Sequence, residues 1–284
     1  MNDTSVLITG SNGQLGLALK DKYANAHAVD RNELDISNAD ELRQFDWSKI
    51  KVIINAAAYT NVDGAETNEG RVGAWKTNAS AVANLSEIAL KHDITIVHVS
   101  SDYVFDGTNE LHTETEPFSP MSVYGESKAA GDIAVSLAPK HYILRTSWVI
   151  GNGNNFVKAI IGIGNKGIDP KVVADQVGRI TFVSELVRAI DHLLTTQTSY
   201  GTYNLSNDGE SLNRADITRA IFQFAGMSNS VTDTTTAGYY AGKENIAPRP
   251  LKSTLDLSKI QATGFESHDW RVDLKNYIDK ELSE

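Results

Sequence analysis

Tyr124 and Lys128 stand four positions apart, downstream of the Ser100-Ser101 pair that closes an apolar run. Together they offer a phenol, an ammonium and a hydroxyl, the groups that move a proton to or from an alcohol or carbonyl oxygen. A free phenol titrates near ~10 and is a poor acid-base at neutral pH. A fixed cation beside it favours the phenolate, and Lys128, one helical turn on, is spaced to supply that charge. Spacing alone does not decide the matter, because the chain has 10 tyrosines and the same Tyr-x-x-x-Lys pattern recurs at Tyr239 and Lys243.

The elements that must position these groups are legible in the hydrophobic pattern. Short β-branched runs at Ser5 to Thr9, Ala26 to Val29, Val52 to Asn55, Thr95 to Val99 and Tyr142 to Arg145 predict strands. Between them, helical periods begin near Gly13, Ser37, Ala65 and Ser122, the second with Ser37 as its expected cap and a carboxylate at Asp40. Strands alternating with helical crossovers predict an α/β fold, a doubly wound parallel sheet of Rossmann-like type. After about Trp148 the alternation becomes irregular, with short strands expected at Val172 and Val173 and near Tyr203 to Leu205. We therefore expect a dinucleotide-binding core over 1–147 and, over 148–284, a smaller, interleaved substrate-binding lobe, with about 182–198 returning to the core.

Gly10-Ser11-Asn12-Gly13-Gln14-Leu15-Gly16 follows Val6-Leu7-Ile8-Thr9 directly and opens a helical pattern. A dinucleotide fold needs glycines there to turn off the strand, admit the pyrophosphate to the backbone and seat the helix on the sheet. The literal G-x-G-x-x-G at Gly162, Gly164 and Gly167 trails a probable helix at Phe156 to Ile161, has no strand before it, and reads as a helix end. Asp30, about 20 residues beyond Gly10, ends the second strand where a carboxylate accepts from adenosine ribose hydroxyls, favouring NADH. Arg31 follows and suits a ribose 2'-phosphate, so NADPH stays open. Asp35 and Ile36 beyond them, with Ala56, Ala57, Ala58 and Tyr59 after the third strand, complete the expected cofactor wall.

Composition bounds the partners. With 284 residues, 41% of them hydrophobic, the chain can bury a sizeable core, and a formal charge of -10 argues against nucleic acid or an acidic membrane surface. There is no cysteine, which removes thiolate metal ligands and thiol nucleophiles. Asn2 and Asp3 make no basic flank and the apolar run at Val6 is too short for a leader or a span, so the cytoplasm is the expected compartment.

The glycine turn, Asn55-Ala-Ala-Ala, Asn78, Ser101 and Tyr124-x-x-x-Lys128 together resemble the extended short-chain dehydrogenase/reductase superfamily. Within it, Val99-Ser-Ser-Asp102-Tyr103-Val-Phe-Asp-Gly107, Arg145-Thr-Ser-Trp148, Asp175-Gln176-x-Gly178-x-x-Thr181 and Arg249-Pro-x-x-Ser253 look like the dTDP-4-dehydrorhamnose reductase family. The resemblance selects Tyr124 over Tyr239, which reads as surface or core. It implies hydride transfer from NADPH or NADH to the C4 ketone of a dTDP-sugar. Tyr124 would be the proton donor, Lys128 would lower the phenol pKa and hold the nicotinamide ribose, and Ser101 would hydrogen-bond the carbonyl oxygen. Asn78 would support Lys128 or a relay water. Asp102, Tyr103 and Trp148 would flank the sugar, Arg249 would meet the substrate diphosphate, and Asn155, with Asn154 and Lys158, would reach toward the nucleotide. Tyr103 stands where a 4,6-dehydratase of similar fold carries a Glu, which favours simple reduction over elimination.

One departure concerns assembly. Some members of the reductase family join through magnesium held partly by a Glu two residues beyond the third glycine; here that residue is Ala18, which offers no oxygen ligand. No metal is expected there, and a monomer or weak homodimer is expected. The alternatives are a reductase of another nucleotide sugar and a non-catalytic regulatory protein of the same fold.

Overall fold

A computed structural model describes residues 2–283; Met1 and Glu284 lie outside it. Its first half runs β1 (Val6–Thr9), α1 (Gln14–Lys22), β2 (His27–Val29), α2 (Ala39–Gln44), β3 (Val52–Asn55), α3 (Asn68–Trp75), α4 (Ala81–Lys91), β4 (Thr95–Ser101), α5 (Val123–Ser136) and β5 (His141–Thr146). The second half adds β6 (Val149–Ile150), α6 (Phe156–Asn165), β7 (Lys171–Val173), β8 (Val177–Gly178), β9 (Thr181–Phe182), α7 (Val183–Thr196), β10 (Gly201–Asn204), β11 (Leu212–Asn213), α8 (Arg214–Phe224), β12 (Thr232–Thr234) and three helices, α9 (Thr236–Tyr240), α10 (Ser258–Gln261) and α11 (Trp270–Ser283). No described helix is long and apolar enough to cross a membrane.

Six strands form one sheet in the order β10-β5-β4-β3-β1-β2, every pairing parallel. Successive strand residues face opposite ways, so a sheet covered on both sides needs continuous apolar runs. Val6 and Ile8 of β1 pack with Leu15 and Leu19 of α1 and Leu186, Ile190 and Leu193 of α7. Leu7, between them, packs on the other side with Leu42 of α2 and Val82 and Leu85 of α4. The strand expected near Tyr203 with the smaller lobe is in fact the sixth strand of this sheet, Tyr203 lying in register with Leu144 of β5. Because its crossover is the amphipathic α7, which buries its apolar face against α1, it follows the same rule as the earlier strands.

Two local expectations shift. The cap of α2 is Asn38, whose side chain accepts from Asp40 and Glu41 N–H groups, while the Ser37 hydroxyl turns back to donate to Asp35. The helix expected from Ala65 starts at Asn68 after a short 3-10 turn, with Thr67 accepting from the Gly70 N–H. The Gly162 and Gly164 segment is the last turns of α6, and Gly167 follows it in a left-handed conformation. A third apolar cluster, with α6, α8 and α11 supplying Ile160, Ile221 and Trp270, builds the smaller lobe.

Strand order reverses where the chain crosses from β2 to β3 on the far side of β1. The crevice of a doubly wound sheet opens there, at the carboxyl ends of the strands.

Candidate active site

At that crevice Gly10 leaves β1 with φ +70, and a Cβ on it would fall 2.6 Å from the Ala57 nitrogen. A side chain fits neither the backbone conformation nor the space. Gly13 caps α1, and a Cβ on Gly16 would lie 2.2 Å from the Gly10 carbonyl, so helix and turn touch backbone to backbone. Asn55 sets the opposite wall. Its Oδ1 accepts from Thr9 (2.7 Å) and from the Ala57 N–H (3.2 Å), folding Ala56 to Ala58 beside the glycines, and its Nδ2 donates to His98 Nδ1 (3.0 Å). Burial holds the His98 imidazole well below its usual pKa, with the Lys128 charge adding to the effect.

The proton-handling groups meet through close backbone contacts. Ser122 caps α5 by accepting from the Gly125 N–H, and a Cβ on Gly125 would fall 2.3 Å from the Tyr103 carbonyl. That contact brings the end of β4 onto the first turn of α5. Ser101 there donates to Asp102 (3.0 Å) and accepts from the Tyr103 N–H (3.1 Å), and it lies close enough to Tyr124 to favour the ionised phenol. The Tyr103 and Tyr124 rings meet edge to face at 5.5 Å. Lys128, one turn on and 2% exposed, donates to the Val99 carbonyl at 2.7 Å.

The electrostatics differ from the expectation. Burial pushes the Tyr124 phenol up, opposed by the nearby Ser101 hydroxyl and reinforced by the Asp102 charge; Lys128 is not among the groups that lower it. Desolvation of the phenolate outweighs the cation, whose ammonium donates one N–H to the Val99 carbonyl. Burial instead brings Lys128 from 10.5 to about 8, opposed by Asp132 one further turn along α5. Asp132 is fully buried against Arg145 at 2.9 Å.

One cleft of about 990 Å³ unites the glycine turn with these groups. Of the residues expected to bind cofactor, Gly10, Asn12, Gly13, Gln14, Leu15, Asp30, Arg31, Asp35, Ile36, Ala56, Ala57, Ala58, Tyr59, Tyr124 and Lys128 line it, as do Ser101, Asp102, Tyr103 and Trp148. Both Asp30 oxygens accept hydrogen bonds, from Asn12 Nδ2 (2.7 Å) and the Asn32 N–H (2.7 Å), and Arg31 pairs with Asp35 at 3.5 Å. Trp148 adopts φ +45, a left-handed backbone strained for a tryptophan, at the cleft's far end.

Seven expected residues do not line the cleft. Ser11 is buried under the turn, and Gly16 serves helix packing. Asn78 sits in a π turn, Lys76–Ser80, where its Oδ1 accepts from the Tyr59 N–H and its Nδ2 donates to the Tyr59 carbonyl and Ser127 Oγ. It braces the residue before Lys128 instead of bonding Lys128 itself. Asn155 caps α6, with Nδ2 donating to the Gly151 and Gly153 carbonyls and to Tyr277. Asn154 is exposed, and Lys158 pairs with Glu281. Arg249 makes a two-pronged bond to Asp63, both distances 2.8 Å. Tyr239 is exposed on α9, with Lys243 4.3 Å over its ring, outside the cleft.

Sequence reasoning passed over Thr146, Val62, Asn152 and Gly153, which also line the cleft, and Ser253, which is buried near the Asp102 carboxylate and favours its charged form. The Arg145-Thr-Ser-Trp148 and Arg249-Pro-x-x-Ser253 motifs contained two of these.

Comparison with known proteins gives the same architecture. The chain is 39% identical over 292 residues to a dTDP-4-dehydrorhamnose reductase of Aggregatibacter actinomycetemcomitans, covering 95% of this chain and 97% of the relative. A crystal structure of a dTDP-4-dehydrorhamnose reductase from Clostridium acetobutylicum superposes with a TM-score of 0.88 at 37% identity, covering 98% and 99% of the two chains. One from Bacillus anthracis, in complex with NADP, gives 0.88 at 34% identity over 97% and 98%. The profile of the RmlD substrate binding domain matches residues 4–283, and with such relatives spanning nearly its whole length the chain belongs to that family.

Proposed function

We propose that this protein reduces the C4 ketone of dTDP-4-dehydro-6-deoxy-L-mannose to dTDP-L-rhamnose, using NADPH or NADH. The observation that carries the reading is the convergence of Ser101, Tyr124 and Lys128 on the same cleft as the Gly10 turn. The turn suits a dinucleotide because the Gly10 and Gly13 positions leave backbone bare where a pyrophosphate needs access. When bound, the cofactor supplies the hydride that reaches the ketone carbon. Tyr124 gives its hydroxyl proton to the oxygen, so C=O becomes CH–OH. A phenol raised by burial stays protonated at neutral pH, the state that a donor requires. Ser101, whose hydroxyl donates to Asp102, would turn that proton to the oxygen as charge grows on it. Lys128 would hold the nicotinamide ribose, and Asp102, Tyr103 and Trp148 would bound the sugar. Asp30 suits an unphosphorylated adenosine ribose and Arg31 a 2'-phosphate, so both cofactors are expected to serve. A diphosphate-bearing substrate does not cross bilayers, in keeping with a cytoplasmic site of action.

The test is loss of NADPH or NADH absorbance on adding dTDP-4-dehydro-6-deoxy-L-mannose. No oxidation with either cofactor sinks the proposal. Oxidation only with a different nucleotide sugar moves the reading to that substrate.

A further inference from the structure

Arg214 begins α8 beside the substrate end of the cleft, and its surroundings differ from those of the other low-exposure arginines. Arg145, Arg179 and Arg249 each have a carboxylate within 3.2 Å, at Asp132, Asp208 and Asp63. Among the described residues Arg214 has none. Its guanidinium lies 4.1 Å over the Trp148 ring and 5.5 Å from that of Phe156. Nε donates to Gln176 Oε1 at 3.0 Å, and Gln176 is itself buried and anchored to Thr236. Stacking and this one bond fix the plane of the fork, while its two terminal nitrogens make no hydrogen bond among the described residues. A half-buried, oriented and unpaired guanidinium is costly unless an anion comes to it.

The neighbouring charges sharpen the point. Arg214 and Arg249 act on the same two phenols, Tyr103 and Tyr240, and each opposes the other's charge. Asp63 pairs with Arg249, while Asp102 acts on Arg214 only from beyond ion-pair distance, so the Arg214 charge stands beside Tyr103 and Trp148, both of which line the cleft, with no direct carboxylate contact among the described residues. Arg249 is already ion-paired, Nη2 donating to both Asp63 oxygens and Nη1 to the Ala247 carbonyl. A planar fork with free nitrogens suits phosphate oxygens, which accept in pairs.

We infer that Arg214, stacked on Trp148, makes the direct contact to the diphosphate of the nucleotide-sugar substrate, and that Arg249 adds charge from behind while held by Asp63. The inference rests on the nucleotide-sugar reading above and assigns the diphosphate to a residue that reading did not include.

Calorimetric titration with dTDP and with thymidine separates the two. Wild-type protein is expected to bind dTDP, and Arg214→Gln to bind it about 10- to 100-fold more weakly, the usual worth of charge-assisted hydrogen bonds. Thymidine affinity should be unchanged. Arg214→Lys, which keeps the charge and loses the fork, should fall between, and turnover of Arg214→Gln should show a raised KM with kcat changed far less. NADPH affinity and melting temperature of both variants serve as folding controls. Arg214→Gln and Arg214→Lys binding dTDP like the wild type overturns this inference alone. Equal losses for dTDP and thymidine also overturn it, since the residue would then shape the pocket without meeting phosphate. Wild-type protein that ignores dTDP overturns the nucleotide-sugar reading and this one with it.

Discussion

The phenol of Tyr124 and the ammonium of Lys128 are where burial and chemistry pull against each other. Tyr124→Phe removes only the transferable proton, so kcat is expected to fall by about 10²- to 10⁴-fold, the usual range for a general acid, with NADPH affinity unchanged in a binding titration. Retention of most turnover would require another acid. Lys128 carries a pH signature. Its folded-state value, brought to about 8 by burial against the pull of Asp132, lies below the 10.5 of an unburied lysine. Between those values the folded chain has released a proton that the unfolded chain still binds, so this group makes stability rise with pH across that window. Urea unfolding at pH 7.5 and 10 should therefore show wild type gaining on Lys128→Met by a few kcal/mol, roughly. A constant difference would refute the depressed value. The tyrosine, lysine and serine were legible as residue types at a spacing. Their electrostatics were not, because desolvation depends on how tightly the fold closes over them, which no sequence pattern fixes. Arg214 was invisible for the same reason: at the start of an amphipathic segment it reads as a solvated charge, and only the fold sets it over Trp148. Asn155 erred in the other direction, since an asparagine just before a helical run is equally a cap.

At the scale of elements, glycines decide how near the catalytic helix comes to its neighbours. A Cβ on Gly131 would lie 2.3 Å from the Asn78 carbonyl in the π turn, where no flexible side chain can yield. Gly131→Ala is expected to cost about 1 to 3 kcal/mol, as overpacking does, and to lower Tm by several degrees in a calorimetric scan. An unchanged Tm would mean that α5 and the π turn slide apart freely. The strands were read to within a residue or two because a sheet covered on both faces demands unbroken apolar runs. The π turn has no such sequence signature; its extra residue is forced by the packing of α3, α4 and α5 around Gly131. The cap of α2 was misassigned by one position because Ser37 and Asn38 are both good acceptors, and geometry gave the serine to Asp35.

For the whole molecule, the sheet was foreseeable and the division of the chain between sheet and lobe was less so. β10 is short and follows the polar segment Gln197-Thr-Ser-Tyr200, yet it completes the edge beside β5. Assembly turns on Ala18, which packs with the α1 and α7 core and presents no oxygen. Sedimentation equilibrium is expected to give a monomer or weakly associating dimer, with the same mass distribution in chelator. A dimer that dissociates in chelator would contradict it.

The Asp63–Arg249 bond joins segments 186 positions apart, and the Ala247 N–H donates to the same carboxylate. Asp63 follows Val62, which lines the cleft, and the Arg249 charge acts on Tyr103, which lines it too. Mechanically this is a latch between the two halves of the cleft: stiffening one half stiffens the other. Coupled binding of coenzyme and dTDP, each tightening the other, is the expected consequence, and Asp63→Asn, with the latch cut, should reduce that coupling in paired titrations.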